Sequence, residues 1–234
     1  MLSSYSREAL KKVSTATLTT VLFKRGLRNV FIQGIFLLNR DAPRMVGEAF
    51  TLRYIPARED VDQLGAFEGR GHAQREAIEA CPPGHVLVMD ARRDASAATG
   101  GDILMTRLMV RGVSGVVTDG GLRDSPTIEK LDWPAYCGAR SAPLNLVRHH
   151  AVESQVPIGC GGVAVYPGDV LVGDAEGVVV IPAKMAEEVA QEAQAQTEFE
   201  DWVEAKVKEG RSIFGLYPPN AETKAEFEAY KKRR

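Results

Sequence analysis

Gly100-Gly101-Asp102-Ile103-Leu104 opens one segment of this chain, and Asp119-Gly120-Gly121-Leu122-Arg123-Asp124 closes it. Residues 105–118 between them read as a helix, a tight turn from Gly112 to Gly115, and the apolar strand Gly115-Val116-Val117-Thr118. When helix and strand have similar lengths, the start of the first and the end of the second converge in space. A carboxylate at each end, an arginine and several glycines then meet at the exit of a buried strand, where α/β sheets bind ligands. Such a place offers backbone N–H groups to an anion, a carboxylate to a hard cation and a guanidinium to an oxyanion. That combination suits chemistry on a 2-oxo acid.

Outward from this unit, residues 6–25 read as a helix, with Ser6 as N-cap and Gly26 as its stop. Residues 31–38 and 47–54 read as strands, 71–81 as a short helix ended by Pro82-Pro83-Gly84, and 86–90 as a buried strand. A short strand at 135–137 follows Trp133-Pro134. From Val156 to Pro182, short strands joined by glycine turns predict a β-rich half after an α/β half. Residues 183–209 form a long, acidic, amphipathic helix, and 211–234 an arm with a final charged helix. The expected organisation is a core over residues 1–182 and a helical tail over 183–234.

With 44% hydrophobic and 26% charged residues, the 234-residue chain has the balance of a folded domain with a sizeable core. A net charge of −2 gives no electrostatic reason to expect nucleic-acid binding. No apolar run reaches the roughly 18–20 residues of a membrane helix, and residues 1–5 start no signal peptide. Cys81, Cys137 and Cys160 are an odd, widely spaced trio, which fits reduced thiols. A cytoplasmic location is therefore expected.

Several candidates carry bland alternatives. Asp102 at a helix start satisfies free N–H groups as a cap, and Arg123 with Asp124 would also serve as a structural pair in a turn. His149 and His150 are adjacent, and His72 and His85 lack partners at ligand spacing, so no metal cluster is read from the histidines. Cys160, within Gly-Cys-Gly-Gly, has no evident general base and reads as a small buried thiol. Between Lys24 and Lys184 the only lysine is Lys130, in a polar turn, so no lysine is placed for Schiff-base chemistry. An enolate formed here would need a divalent metal.

Gly101-Asp102, 20 residues, then Arg123-Asp124, read with Thr-Ala-Thr-Leu at 15–18, Gly-Glu-Ala-Phe-Thr at 47–51, Pro-Gly-Asp at 167–169 and Asp-Ala-Glu-Gly-Val-Val-Val-Ile-Pro at 174–182, resembles one family over roughly residues 13–205. It holds the regulator of ribonuclease activity A and the class II 4-hydroxy-4-methyl-2-oxoglutarate/4-carboxy-4-hydroxy-2-oxoadipate aldolases. The resemblance implies an α/β/β/α swivelling-type core with a long C-terminal helix and arm, a homotrimer or homohexamer, and sites at subunit interfaces. It implies Mg²⁺ or Mn²⁺ on Asp124, enolate stabilisation by Arg123, and Asp102 orienting a metal-bound water as acid/base. It further implies backbone N–H groups of Ile103 and Leu104, with Gly101 beside them, holding the pyruvate carboxylate. The tail over 183–234 would pack on a neighbouring subunit, where one of its glutamates, Glu198 or Glu200, would complete the outer shell. Thr127 departs from the Glu or Asp usual in the aldolases three positions after the motif's aspartate.

The expected function is a metal-dependent lyase that cleaves a 4-hydroxy-2-oxo acid to pyruvate and also decarboxylates oxaloacetate. A non-catalytic ribonuclease-binding regulator is the alternative, disfavoured by the long tail and by the presence of Arg123, Asp124 and Asp102. A methyltransferase fares worst, because no glycine-rich loop follows an early strand.

Overall fold

The computed structural model describes residues 2–233. Two helices, α1 (Ser4–Leu10) and α2 (Thr15–Lys24), begin the chain, followed by β1 (Phe36–Leu37), the long β2 (Met45–Pro56), α3 (Ala73–Ala80) and β3 (His85–Asp90). The central unit is α4 (Asp102–Val110), β4 (Gly115–Thr118), β5 (Gly121–Leu122) and α5 (Ser125–Ile128). Then come β6 (Ala135–Cys137), β7 (Ala139–Arg140), β8 (His149–Ser154), β9 (Ile158–Cys160), β10 (Val163–Val165), β11 (Val170–Gly173) and β12 (Val178–Ile181). Helices α6 (Ala186–Lys208) and α7 (Ala221–Lys231) complete it.

β2 is the spine. Its first residues pair antiparallel with β11, its middle pairs parallel with β3, and its end pairs antiparallel with β8. The sheet runs β1-β6-β4-β3-β2-β11-β12, parallel from β2 through β6. Because side chains alternate across a strand, its central strands are apolar on both faces. Leu87, Met89 and Val116 pack with Ile78 of α3 and Met105 and Leu108 of α4. Val86, Val88 and Val117 face the β9–β10 hairpin through Ile158, Cys160, Val163 and Val165. Val46, Val170, Val172, Val179 and Ile181 are covered by α1, α2 and the first half of α6. The layered α/β/β/α architecture implied by the resemblance is the one found. Among the described residues no helix is long and apolar enough to cross a membrane.

Three local readings change. The helix expected over residues 6–25 is two helices, because Ser14 accepts the Thr17 N–H at 3.0 Å and caps a new one; the first is capped by Ser3, while the Ser6 hydroxyl binds Glu187. The strand expected over 31–38 shrinks to Phe36–Leu37, since Gly34 at φ +73° turns the chain and Phe31 makes a lone bridge to Val179. The β-rich half expected over 156–182 is not a separate half: β11 and β12 return to the main sheet beside β2, and only β9 and β10 pair apart from it.

The tail is joined to the core along its first half, where Ala186, Val189, Ala190 and Ala193 bury against Leu10, Leu18, Val21 and Leu22. Trp202 and Val203 are covered in the same chain by Leu216 and Phe227 of the arm. This small aromatic cluster, with Phe199 edge-on to Phe227 at 5.1 Å, shares no residue with the three larger apolar clusters. Phe227→Ala should therefore free the arm, with a local loss of about 3–5 kcal/mol, and leave the main unfolding transition nearly unchanged. Limited proteolysis at residues 210–220 against a melting curve checks this; a parallel fall of the whole melting temperature would contradict it.

Candidate active site

Nine residues of α4 and four of β4 both span about 13 Å, so the two ends do meet. Main-chain bonds lock them together: Thr99 N–H donates to Gly121 O (2.8 Å), Gly121 N–H to Ala97 O (3.2 Å) and Arg123 N–H to Gly100 O (3.0 Å). Two groups hold this junction from behind. Asp119 is buried and accepts from the N–H groups of Ala91 (2.7 Å), Gly161 (3.0 Å) and Arg93 (3.1 Å); burial raises its pKa above the usual carboxylate range. It is a structural acid joining three loops. His149 is also buried, and burial lowers its pKa. Arg92 only donates, so Nδ1 accepts from Arg92 at 3.1 Å and Nε2–H faces Ala97 O at 3.3 Å.

At the junction Asp124 sits at φ +55°, a conformation uncommon outside glycine, asparagine and aspartate. It starts α5 through its main-chain carbonyl, and its carboxylate caps nothing. Arg123 Nε lies 3.3 Å from Asp124 Oδ2 but makes no hydrogen bond, although it is buried. Gly101 is the N-cap of α4, and a Cβ there would stand 2.6 Å from Asp124 Oδ2 and 2.9 Å from Arg123 Cγ. Glycine is required at this approach because the two side chains occupy that space. Asp102 is the first residue of the helix, and its Oδ1 accepts the Ile103 N–H at 2.8 Å. Leu104 N–H is turned onto Gly101 O at 3.1 Å. Of the amides expected to hold a carboxylate, those of Ile103 and Leu104 are thus bonded locally, while Gly101 N–H has no partner among the described residues.

The structure brings Gly101, Asp102, Arg123 and Asp124 together. Thr127 is exposed on α5, one turn beyond Asp124. Glu198 is exposed; Glu200 is half-buried and accepts from Thr17 (2.9 Å), Gln196 (2.9 Å) and Tyr217 (3.1 Å) of its own chain. Among the described residues no three His, Cys, Asp or Glu side chains are grouped to hold a metal. A single free carboxylate still fits Mg²⁺, which is bound through one or two carboxylates and keeps several waters; Asp124, whose side chain makes no capping bond, would be that carboxylate. Cys160 is buried and its thiol pKa is raised by burial, so it offers no nucleophile.

A cavity of about 230 Å³ opens from Gly100, Gly101 and Arg123 towards Phe67, Gln74, Arg75 and Asn145. Sequence reading missed these last four. Arg75 lies on the exposed side of a short amphipathic helix and Asn145 opens a single 3-10 turn over Asn145–Val147, with no spacing to single them out. A larger groove of about 740 Å³, between α2, α6 and the arm, shares no residue with this site.

Replacing Gly101 with alanine should displace Arg123 and Asp124 with little backbone strain, since its φ is −128°. We expect an unchanged melting temperature to within a few degrees and at least a tenfold loss of turnover. Unaltered turnover would show that this approach is not part of the site.

A family model described as RraA-like, Aldolase/RraA, matches residues 15–180. A Halalkalibacterium halodurans protein named "Putative 4-hydroxy-4-methyl-2-oxoglutarate aldolase" is 37% identical over 126 residues, 53% of this chain and 59% of that one. The chain thus spans about three fifths of that relative's length. Among solved structures, an uncharacterized protein from Pseudomonas syringae pv. tomato superposes with a TM-score of 0.81 at 25% identity, covering 92% of this chain and 94% of the other. Streptomyces coelicolor RraAS2, described as an unusual member of the RNase ES inhibitor RraA protein family, gives 0.76 at 29% identity over 86% and 96%. With the family model spanning most of the chain and the Gly101-Asp102 and Arg123-Asp124 pairs folded into one corner, this chain belongs to the RraA-like family.

Proposed function

We propose that this chain is a divalent-metal-dependent aldolase that cleaves a 4-hydroxy-2-oxo acid to pyruvate. The observation that carries the reading is the corner itself: an arginine with an unbonded buried nitrogen and a carboxylate free of capping duty, held against a glycine gap at a helix start. The name of the Halalkalibacterium relative supports the same class.

Asp124 would hold Mg²⁺ or Mn²⁺, which supplies Lewis-acid stabilisation of the charge that develops on the substrate. The substrate's 2-oxo acid head lies at the start of α4, where the Gly101 amide and the helix terminus favour an anion. As the C3–C4 bond breaks, its electron pair moves to C3 and the C2 oxygen becomes an enolate, which Arg123 meets with its guanidinium. Asp102 keeps Oδ2 free of hydrogen bonds and handles the proton that leaves the C4 hydroxyl and is later needed at C3. Oxaloacetate loses CO₂ through the same enolate, so one arrangement serves both reactions.

The site is completed by a second copy of the chain in a trimer or hexamer. Ile103 beside the site is 79% exposed and Phe214 of the arm 91% exposed, which leaves apolar surface for a partner at both places. Glu198, exposed on α6, is the freer of the two tail glutamates to reach across.

Pyruvate release from oxaloacetate and from 4-hydroxy-2-oxo acids should vanish with EDTA and return with Mg²⁺ or Mn²⁺. Arg123→Ala should lower kcat on the order of 10²–10³-fold, and Asp124→Ala should abolish metal-dependent turnover. Full activity after chelation, or binding of a ribonuclease with no turnover on any of these acids, would overturn the reading.

Composite sites predict complementation. Inactive Asp124→Ala and Glu198→Ala proteins, mixed under conditions where subunits exchange, should regain part of the activity. No recovery in verified mixed oligomers would mean that each chain builds its site alone.

A further inference from the structure

One carbonyl at the junction of α4 and β4 has two donors. Ala97 O accepts the Gly121 N–H at 3.2 Å and faces Nε2–H of the buried His149 at 3.3 Å. The other ring nitrogen of His149 accepts from the Arg92 guanidinium at 3.1 Å, and the same guanidinium nitrogen donates to Arg148 O at 3.0 Å. Arg92 and Arg93 are consecutive left-handed residues, at φ +61° and +58°, a strained arrangement for side chains other than glycine. Carboxylates hold it: Asp90 takes the Arg92 N–H at 2.9 Å, and Asp119 takes those of Ala91 and Arg93. The strained backbone thus aims one guanidinium at one buried imidazole.

The charged and titratable groups around that ring are Arg92 and Asp94 from the loop after β3, Asp119 from the exit of β4, Tyr54 from β2 and Arg148 just before β8. Arginine only donates, so a proton on Nδ1 would set N–H against N–H across this contact. One group would have to leave, and the ring's hold on Ala97 O would go with it. We propose that His149 is a positioning residue for the Arg123–Asp124 corner that works only as neutral imidazole, so that one added proton loosens the junction and switches the site off. Burial and then the Arg92 charge lower the His149 pKa. The folded chain therefore binds this proton more weakly than the unfolded chain. The bracing is whole above the ordinary histidine value of about 6.5 and is lost as pH falls through the lower native value. The effect on the junction stands on this geometry; the effect on turnover rests on the reading of the corner as an aldolase site.

Nuclear magnetic resonance of the full chain, from about pH 8 to about pH 5, reads the His149 ring and the exchange of the Gly121 and Arg123 amides together. Exchange protection, referred to the free-chain rate at each pH, should fall by about tenfold for each pH unit below the point where the ring titrates. Pyruvate release from oxaloacetate with Mg²⁺ should lose kcat over the same range. His149→Gln accepts from Arg92 and donates to Ala97 with no proton to gain, so it should keep neutral-pH protection and turnover and flatten both profiles. Arg92→Asn, suited to a left-handed backbone, should raise the pH at which the ring titrates. Protection that follows the ring in a chain with no turnover would support the positioning role and count against the aldolase reading alone. A ring that stays neutral throughout, protection indifferent to its titration, or an unchanged acid limb in His149→Gln would overturn the proposal whatever the turnover.

Discussion

The pairing of residues 97–100 with residues 121–123 is the constraint on which the rest of the site depends. Three main-chain hydrogen bonds of 2.8–3.2 Å bring the first turn of α4 against the exit of β4. Everything chemically useful hangs on that seam: Gly101 and Asp102 on one side, Arg123 and Asp124 on the other. The seam is kept in register by groups that touch no ligand. Thr99 is fully buried and shares hydroxyl contacts with Thr118 (3.1 Å) and Gly121 O (3.1 Å). Asp119 ties down three loops, and a neutral His149 braces Ala97. A site built this way is preorganised, because the backbone positions of its donors are settled before any ligand arrives.

The electrostatics of the corner follow from what has been left unpaired. Several arginines elsewhere on the surface meet glutamates, as Arg107 meets Glu79 at 2.8 Å and Arg25 meets Glu188 and Glu192 at 2.8 Å each. Arg123 has only a neighbouring carboxylate at a poor angle, and Arg75 only an aromatic ring. Two arginines on a small cavity that no carboxylate lines favour anions by Coulomb attraction that bulk water screens less in a partly enclosed space. Asp124 is the counterweight: its carboxylate offsets part of the charge of Arg123, and its left-handed backbone leaves that carboxylate outside the hydrogen-bonding of α5.

The tail changes character along its length. Its first half is core, because alanines and Val189 at helical spacing sit directly on α1 and α2. Its second half and the arm form a satellite cluster around Trp202 and Phe227. Glu200 belongs to this internal architecture through Thr17, Gln196 and Tyr217, whereas Glu198 projects from it. Two glutamates that stand two residues apart on one helix point in different directions, which is why sequence alone gave no reason to prefer one.

What the sequence by itself determined was local and periodic. Apolar runs over 86–90, 115–118, 170–173 and 178–181 are strands in the fold, and the helix–turn–strand unit brought Asp102, Arg123 and Asp124 into one corner as read, because equal lengths make its ends meet regardless of what surrounds them. The break between α1 and α2 was written in Ser14 but masked by helix-forming residues on both sides. Tertiary structure alone decided that β11 and β12 return beside β2, since strand order depends on which edges remain unpaired once the parallel core has formed. It alone decided that Arg75 and Asn145 share a cavity with Arg123 across 48 and 22 residues of chain. Cavities are made by distant segments that no periodicity links, so their lining is set by packing and their charge balance is visible only once the chain has folded.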